Sequence, residues 1–189
     1  ALKKYDDAAK TALIIARSEQ EVGNYPLAHA VAIEATRELE QVGVNVPLQL
    51  RQTFTLIHSY QLVKTLAKRD DHTGAARLLL RVCKHLSKFP SHVVQILTST
   101  VIECQRAGLK ASSYEQAINL MRPEYRSHIE PNLKRKIEAI VRRRVGQGDE
   151  ASEEQALCPI SGQMIGQYEL ECPTTRDALP MCIISGKFV

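Results

Sequence analysis

The sequence lacks tryptophan and has few aromatic side chains of any kind, with six tyrosines and three phenylalanines among 189 residues. β-Sandwiches and β-barrels depend on aromatic and β-branched side chains, whereas helices pack well through small and straight-chain ones. Because the chain is instead rich in alanine, leucine, isoleucine and arginine, we predict a mainly α-helical fold. Its 44% hydrophobic and 24% charged residues are typical of a globular protein and exclude collagen-like or wholly disordered chains.

The chain also lacks a strong charge of one sign and a long apolar run. Its 25 Lys and Arg against 21 Asp and Glu give a formal net charge of +4, which is too small to indicate nucleic-acid binding. Stretches without a formal charge, such as residues 89–102, are shorter than the roughly 20 apolar residues that a membrane-spanning helix needs. We therefore predict no such helix.

The five cysteines are an odd number, and no secretion signal precedes them. We predict reduced thiols in the cytosol rather than a disulfide framework. The chain begins at Ala1 with a helical pattern already under way, so we expect it to be a piece of a longer protein.

Apolar residues recur at helical spacing along the first two thirds of the chain. Residues 9–16 and 76–83 each carry them at i, i+3, i+4 and i+7, which is the spacing of one buried helical face. Turn or start signals separate these stretches, namely Gly23-Asn24, Pro47, Thr73-Gly74, Pro90-Ser91, and a capping box of Ser113 and Gln116. We predict about six helices in the first 121 residues.

The second helices of the predicted pairs share a pattern that resembles the turn of tetratricopeptide repeats. In such repeats, small residues let two helices approach and an aromatic residue packs between neighbouring pairs. The matching residues are Gly23, Tyr25 and Ala28, then Ala75, then Tyr114 and Ala117. Because the copies lie further apart than the regular repeat of about 34 residues, we predict an irregular tetratricopeptide-like solenoid over residues 1–144. An ordinary helical bundle is the alternative.

A further helix is predicted from Pro131, with one strongly basic face. Its candidate protein-binding residues are Lys134, Arg135, Arg142, Arg143 and Arg144. The face has no interleaved aromatic side chains on which bases could stack, so we favour a protein partner over nucleic acid. Residues 145–157 contain four carboxylates, two glycines and no basic residue, which predicts an acidic linker.

The last segment, residues 158–189, changes character. Cys158-Pro159 and Cys172-Pro173 each resemble the start of a zinc knuckle, but the second ligand positions hold Ser161 and Thr175, and hydroxyls are poor zinc ligands. We predict a small degenerate zinc-ribbon-like hairpin, with strands at 165–170 and 181–184 and with hydrogen bonds in place of the metal. Zinc on Cys158, Cys172 and Cys182 is the alternative; otherwise no cofactor is expected.

No spacing in the chain supports catalysis. Cys83 and His85 are two residues apart on a predicted helix and point to different faces, and none of the nine glycines forms a phosphate loop. We therefore predict a protein that is not an enzyme. One alternative is a ubiquitin-ligase module, because residues 158–162 (CPISG) resemble the opening of a U-box, a relative of the RING domain. The other is nucleic-acid binding by the basic helix.

Longer runs of residues carry a more specific resemblance, to the C-terminal region of a large WD-repeat subunit of intraflagellar transport complex A. These runs are residues 1–8 (ALKKYDDA), 88–92 (KFPSH), 97–104 (LTSTVIEC), 121–127 (MRPEYRS) and 136–138 (KIE). The resemblance implies a parent with N-terminal β-propellers and a helical solenoid that holds the complex together. It also implies a non-enzymatic role in retrograde transport and in the entry of membrane cargo, at the cilium or flagellum, the ciliary base and in the cytoplasm.

The same resemblance implies a cysteine-rich, zinc-binding tail. Such tails carry Cys-Pro-x-Cys twice, then Ile-Pro-x-Cys and a Gly-Arg-His ending. This sequence keeps both Cys-Pro pairs, Leu179-Pro180-x-Cys182 and Gly186, but has Ser161, Thr175, Lys187 and Phe188 at the other places. Other complex A subunits are the implied partners, with indirect contact to ciliary membrane cargo and no nucleic acid.

Overall fold

A computed structural model describes residues 2–143 and 153–189. Within these residues the chain forms eight α-helices and one two-stranded antiparallel sheet. The helices are α1 (Leu2–Val22), α2 (Tyr25–Gln41), α3 (Leu48–Lys68), α4 (His72–Cys83), α5 (Val93–Arg106), α6 (Lys110–Leu120), α7 (Pro123–Arg126) and α8 (Pro131–Arg142). The prediction of a mainly α-helical fold is confirmed. None of the described helices is both long and apolar enough to cross a lipid bilayer.

Each long helix packs mainly on its neighbours in sequence. α1 lies on α2, α3 on α4 and α5 on α6, while α2 packs on α3, α4 on α5, and α8 on α6. Two short 3-10 turns, Leu86–Lys88 and Pro90–His92, connect α4 to α5. The six helices predicted before residue 121 are present, and so is the helix predicted from Pro131, although the short α7 precedes it.

The hydrophobic core follows this array in three main clusters. Alanines and leucines of α1, α2 and α3 form the first, and side chains of α2, α3 and α4 with Phe89 and Ile96 form the second. The third joins α5, α6 and α8 around Leu97, Leu120 and Ile137. Since α8 contributes its buried Ile137 to this last cluster, its basic residues are left on the opposite side of the helix.

Tyr25 occupies the position that the repeat pattern assigns to an aromatic wedge. It is 5% exposed, and its ring centroid lies 5.2 Å from that of Tyr60, 5.6 Å from Phe89 and 4.8 Å from His92. It therefore links α2, α3 and the turn that leads into α5. The small residues Ala28, Ala75 and Ala117 are fully buried, whereas Tyr114 is only half-buried.

Gly23 makes the turn between α1 and α2. Its φ of 87° lies in the left-handed region that favours glycine. A Cβ atom here would also lie 3.4 Å from Cβ of Ser91, and the Ser91 hydroxyl donates to the carbonyl of Glu21. The first helix pair is therefore held against the turn before α5.

The predicted capping box of Ser113 and Gln116 is wrong. Helix α6 begins at Lys110, so Ser113 lies inside it and is fully buried. Its hydroxyl donates to the carbonyl of Val101 at 3.1 Å and accepts from the amide of Gln105 at 2.9 Å, both on α5. The Ser113 hydroxyl thus bonds to the neighbouring helix rather than to the start of its own.

Residues 153–189 form a compact unit, which we name the C-terminal module. Strand β1 (Gln155–Leu157) pairs with β2 (Met164–Gly166). β1 lies in the stretch that we predicted as the end of the linker, and β2 covers only the start of the predicted strand 165–170. The strand predicted at 181–184 is wrong, because the backbone turns there and only Met181 bridges to Phe188. Residues 144–152, including Arg144, lie outside the described residues.

Truncation of the Tyr25 wedge tests its role in the core. We expect Tyr25→Ala to lower the free energy of unfolding by about 3 kcal/mol, as large-to-small changes in cores do. Tyr25→Phe is the matched control, since the buried Tyr25 hydroxyl has no hydrogen-bond partner among the described residues. Its removal should leave stability unchanged or raise it by up to about 1 kcal/mol. Urea unfolding measures both, and equal losses in the two variants would contradict this role.

Candidate functional site

The C-terminal module contains the same backbone turn three times, at residues 158–163, 172–177 and 182–187. In each turn the cysteine amide donates to a carbonyl five residues on at 2.8 Å, and the amide four residues on donates back to the cysteine carbonyl. That fourth residue has a positive φ: 70° at Gly162, 63° at Arg176 and 73° at Gly186. Sequence reasoning missed the third turn because it lacks a Cys-Pro pair. The signal that could have found it is Cys182-x-x-Ser185-Gly186, which matches Cys158-x-x-Ser161-Gly162.

Hydroxyl and amide groups surround the sulfur atoms of these turns. The hydroxyl of Thr175, then that of Ser161 and the Thr175 amide lower the pKa of the Cys172 thiol to about 6. The Ser161 amide also donates to the Cys158 sulfur at 3.4 Å. In the third turn, the Ser185 hydroxyl lowers the pKa of the Cys182 thiol. A serine or threonine three residues after each cysteine thus lowers the pKa of a thiol of the module.

The residues that meet in the module do not fit a zinc ion. Zinc sites use thiolate, imidazole or carboxylate ligands, and Ser161 and Thr175 supply only hydroxyls beside Cys158 and Cys172. The Ser161 hydroxyl is buried and has no hydrogen-bond partner among the described residues. Among residues 2–143 and 153–189, no group of three or more His, Cys, Asp or Glu side chains could hold a metal ion. Cys158, Cys172 and Cys182 are therefore not brought together as such a group.

The module docks on one side of α3 and α4 through its third turn and through residues 168–171. His58 of α3 hydrogen-bonds through Nε2 to the carbonyl of Ile183 at 2.8 Å. The backbone of Gly186 comes so close that an added Cβ would lie 2.7 Å from a methyl group of Leu78 on α4. A charged contact at the edge, Lys84 to Glu169 at 3.1 Å, supports the same arrangement.

Arg81 of α4 lies at the centre of this interface and is only 4% exposed. Its Nε donates to the carbonyl of Tyr168 at 2.7 Å and its Nη1 to the hydroxyl of Ser59 at 3.0 Å. The guanidinium also lies 5.7 Å from the centroid of the Tyr168 ring. Burial lowers the pKa of Arg81 to about 10, so it remains charged at neutral pH. A buried charge of this kind is stable only where its donors are bonded, and the module supplies the main acceptor.

Two histidines extend the interface into α2. His29 Nε2 lies 2.8 Å from His58 Nδ1, and the two rings are stacked with centroids 5.1 Å apart. Because His58 binds the Ile183 carbonyl through its other nitrogen, one line of hydrogen bonds runs from α2 through α3 to the third turn. Burial, the neighbouring His58 and then Arg37 lower the pKa of His29.

The basic face of α8 forms a second candidate surface at the end of the helical array. Arg135, Arg142 and Arg143 are exposed and Lys134 is half-buried. The acidic residue of this helix, Glu138, already pairs with Arg126 at 3.3 Å and with Arg142 at 3.9 Å. In the described part of the chain, no carboxylate lies within ion-pair distance of Lys134, Arg135 or Arg143. Within the described residues this surface is therefore cationic.

Comparison with known proteins gives close relatives over nearly the whole chain. The chain is 47% identical, over 187 residues that cover 99% of it, to WD repeat-containing protein 19 of Mus musculus and to that of Homo sapiens. It is 39% identical over 188 residues to WD repeat-containing protein dyf-2 of Caenorhabditis elegans. The chain belongs to the WD repeat-containing protein 19 family. The resemblance found in the sequence is thereby confirmed.

The chain spans only 14% of the length of each of these relatives. No family model matches the chain. Membership of the family is thus shown by the relatives, for a segment of a much longer protein.

Removal of the Arg81 side chain tests the docked arrangement. We expect Arg81→Ala to lower the free energy of unfolding by about 2–4 kcal/mol, because the Tyr168 carbonyl and the Ser59 hydroxyl lose a charged donor and a cavity forms. Amide hydrogen exchange should accelerate most in residues 153–189. The exposed Arg69 provides a control through Arg69→Ala, and unchanged protection of the module in Arg81→Ala would show that Arg81 does not hold it.

The histidine line predicts a pH dependence. The lowered pKa of His29 means that, as pH falls below its unfolded value of about 6.5, the unfolded chain takes up a proton that the folded chain does not. Stability is therefore lost as pH falls, and the loss should be smaller in His29→Gln. Urea unfolding at pH 7.5 and 5.5 (about one unit either side of that value) measures it, with His128→Gln at an exposed site as control. An unchanged slope in His29→Gln would contradict the prediction.

Proposed function

We propose that this segment is a non-enzymatic scaffold of intraflagellar transport complex A. Its part in the complex is protein-protein contact during retrograde ciliary transport and the entry of ciliary membrane cargo. The places of action are the cilium or flagellum, the ciliary base and the cytoplasm. Support comes from membership of the WD repeat-containing protein 19 family and from the runs of residues that resemble a complex A subunit.

The observation that carries the binding role is the cationic face of α8 at the end of the helical array. Its apolar side is occupied by the third core cluster through Ile137, so only the charged side is available. Guanidinium groups bind carboxylates in a bidentate manner, which suits Arg135 and Arg143. The proposed partner surface is an acidic segment of another complex A subunit.

The order of helix contacts supports the finer proposal of an irregular tetratricopeptide-like solenoid. Each pair packs on the next, and Tyr25 lies between the first two pairs. Such arrays offer extended surfaces and leave their last helix uncovered on one side. In this proposal the C-terminal module, a metal-free relative of a zinc ribbon, covers the α3 and α4 side of the array.

We also propose that the segment catalyses no reaction and holds no cofactor. In this proposal the buried polar groups of the segment hold its helices together. Glu103, 7% exposed, accepts from His72 at 2.7 Å and from Arg106 at 3.0 Å, which ties α4 to α5. The three ionisable groups of this cluster are thereby engaged with one another.

Charge reversal on α8 tests the proposal. The immobilised chain is expected to capture complex A assembled from its other subunits. The double variant Arg135→Glu with Arg143→Glu should weaken that capture on the order of tenfold near physiological salt, because electrostatic complementarity is lost. The control carries Lys64→Glu with Lys68→Glu on the exposed side of α3, which changes net charge by the same amount. Equal binding by both variants would contradict a role for α8.

The same assay distinguishes the alternatives. Capture of duplex or single-stranded nucleic acid with a steep salt dependence, and no capture of complex A, would favour a nucleic-acid role for the basic helix. Discharge of ubiquitin from a conjugating enzyme by the whole chain would favour a U-box role for the C-terminal module. Either outcome overturns the scaffold proposal.

A further inference from the structure

The first two turns of the C-terminal module lie against each other. The Thr174 hydroxyl of the second turn donates to the side-chain oxygen of Gln163 in the first at 3.1 Å, and Cys158 and Cys172 are buried in one cluster. Within the first turn the Ser161 amide donates to the sulfur of Cys158. The two cysteines and the hydroxyl residues that follow them therefore lie together inside the module.

The spacing of this group is that of paired metal knuckles. In a knuckle, two ligands stand three residues apart in a tight turn, and two such turns supply four ligands in a tetrahedron. Here Cys158 and Ser161 stand at that spacing in the first turn, and Cys172 and Thr175 in the second. The left-handed residues Gly162 and Arg176, which close the two turns, follow the hydroxyl residues directly.

We infer that Ser161 and Thr175 occupy two of the four ligand positions of a metal site whose geometry this chain has kept and whose metal it has replaced with hydrogen bonds to sulfur. The chain is therefore stable without metal. Two substitutions, Ser161→Cys and Thr175→Cys, suffice to make it bind zinc.

A polar hydrogen faces sulfur in this group, as the Ser161 amide donates to the Cys158 sulfur at 3.4 Å. The buried Ser161 hydroxyl, which has no nitrogen or oxygen partner in the described chain, is the group left at a former ligand position.

The third turn provides the internal control. It has the same backbone hydrogen bonds and the same Cys182-x-x-Ser185 spacing, but it packs on α3 and α4 through Ile183 and Gly186. The described residues place no second knuckle opposite it. A cysteine at residue 185 therefore adds a thiol without completing a tetrahedron.

The experiment compares three forms of the whole chain, each purified with zinc in the medium. Wild type should contain no stoichiometric zinc, and its melting curve should not move with chelator. Ser161→Cys with Thr175→Cys should hold about one zinc per chain and melt about 5 °C or more higher, a gain that chelator abolishes. Ser127→Cys with Ser185→Cys has the same number of cysteines but adds none to the first two turns, and it should hold no stoichiometric zinc.

A second measurement tests the inference even where a variant folds poorly. Co²⁺ in tetrahedral thiolate coordination absorbs visible light strongly, so titration of the reduced chain with Co²⁺ should produce this absorption for Ser161→Cys with Thr175→Cys and not for the other two forms. Stoichiometric zinc in wild type with chelator-sensitive melting would overturn the inference. So would a Ser161→Cys with Thr175→Cys chain that binds neither ion better than the control, because the two turns would then not converge on one centre.

Discussion

The guanidinium of Arg81 joins the two parts of the molecule. It is buried under the C-terminal module and bonded to the Tyr168 carbonyl and the Ser59 hydroxyl, so the charge would lose its main acceptor if the module moved away. A buried cation without partners costs several kcal/mol, and this cost couples the position of residues 153–189 to the packing of α3 and α4. The other contacts across the interface, from His58 to Ile183 and from Leu78 to Gly186, depend on the same close approach.

The helices could be predicted because the apolar spacing of residues 9–16 and 76–83 has a direct physical cause, the burial of one helical side. The start of α6 could not, because the Ser113 hydroxyl bonds to the carbonyl of Val101 on another helix. Arg81 was missed for a similar reason: an arginine is ordinarily exposed, and its acceptor lies 87 residues further along the chain.

The candidate sites also contain some features that could be predicted from the sequence and others that could not. The basic residues of α8 were predicted from sequence because helical periodicity alone separates them from Ile137 and its apolar neighbours. The Cys-Pro pairs indicated two turns, and the hydroxyls at residues 161 and 175 are the reason that we predict no zinc there. The third turn and the docking of the module depend on contacts between distant residues, such as His58 with Ile183, 125 positions apart, and short patterns in one sequence do not encode such pairings.

The connectivity of the helical array also bears on how the chain is made. Contacts between sequence neighbours form quickly and locally, so α1 to α6 can assemble while synthesis continues. The C-terminal module instead closes on Leu62 and Leu78, which belong to helices completed long before it. Without residues 153–189 these leucines would be exposed to water, and exposed apolar surface promotes aggregation.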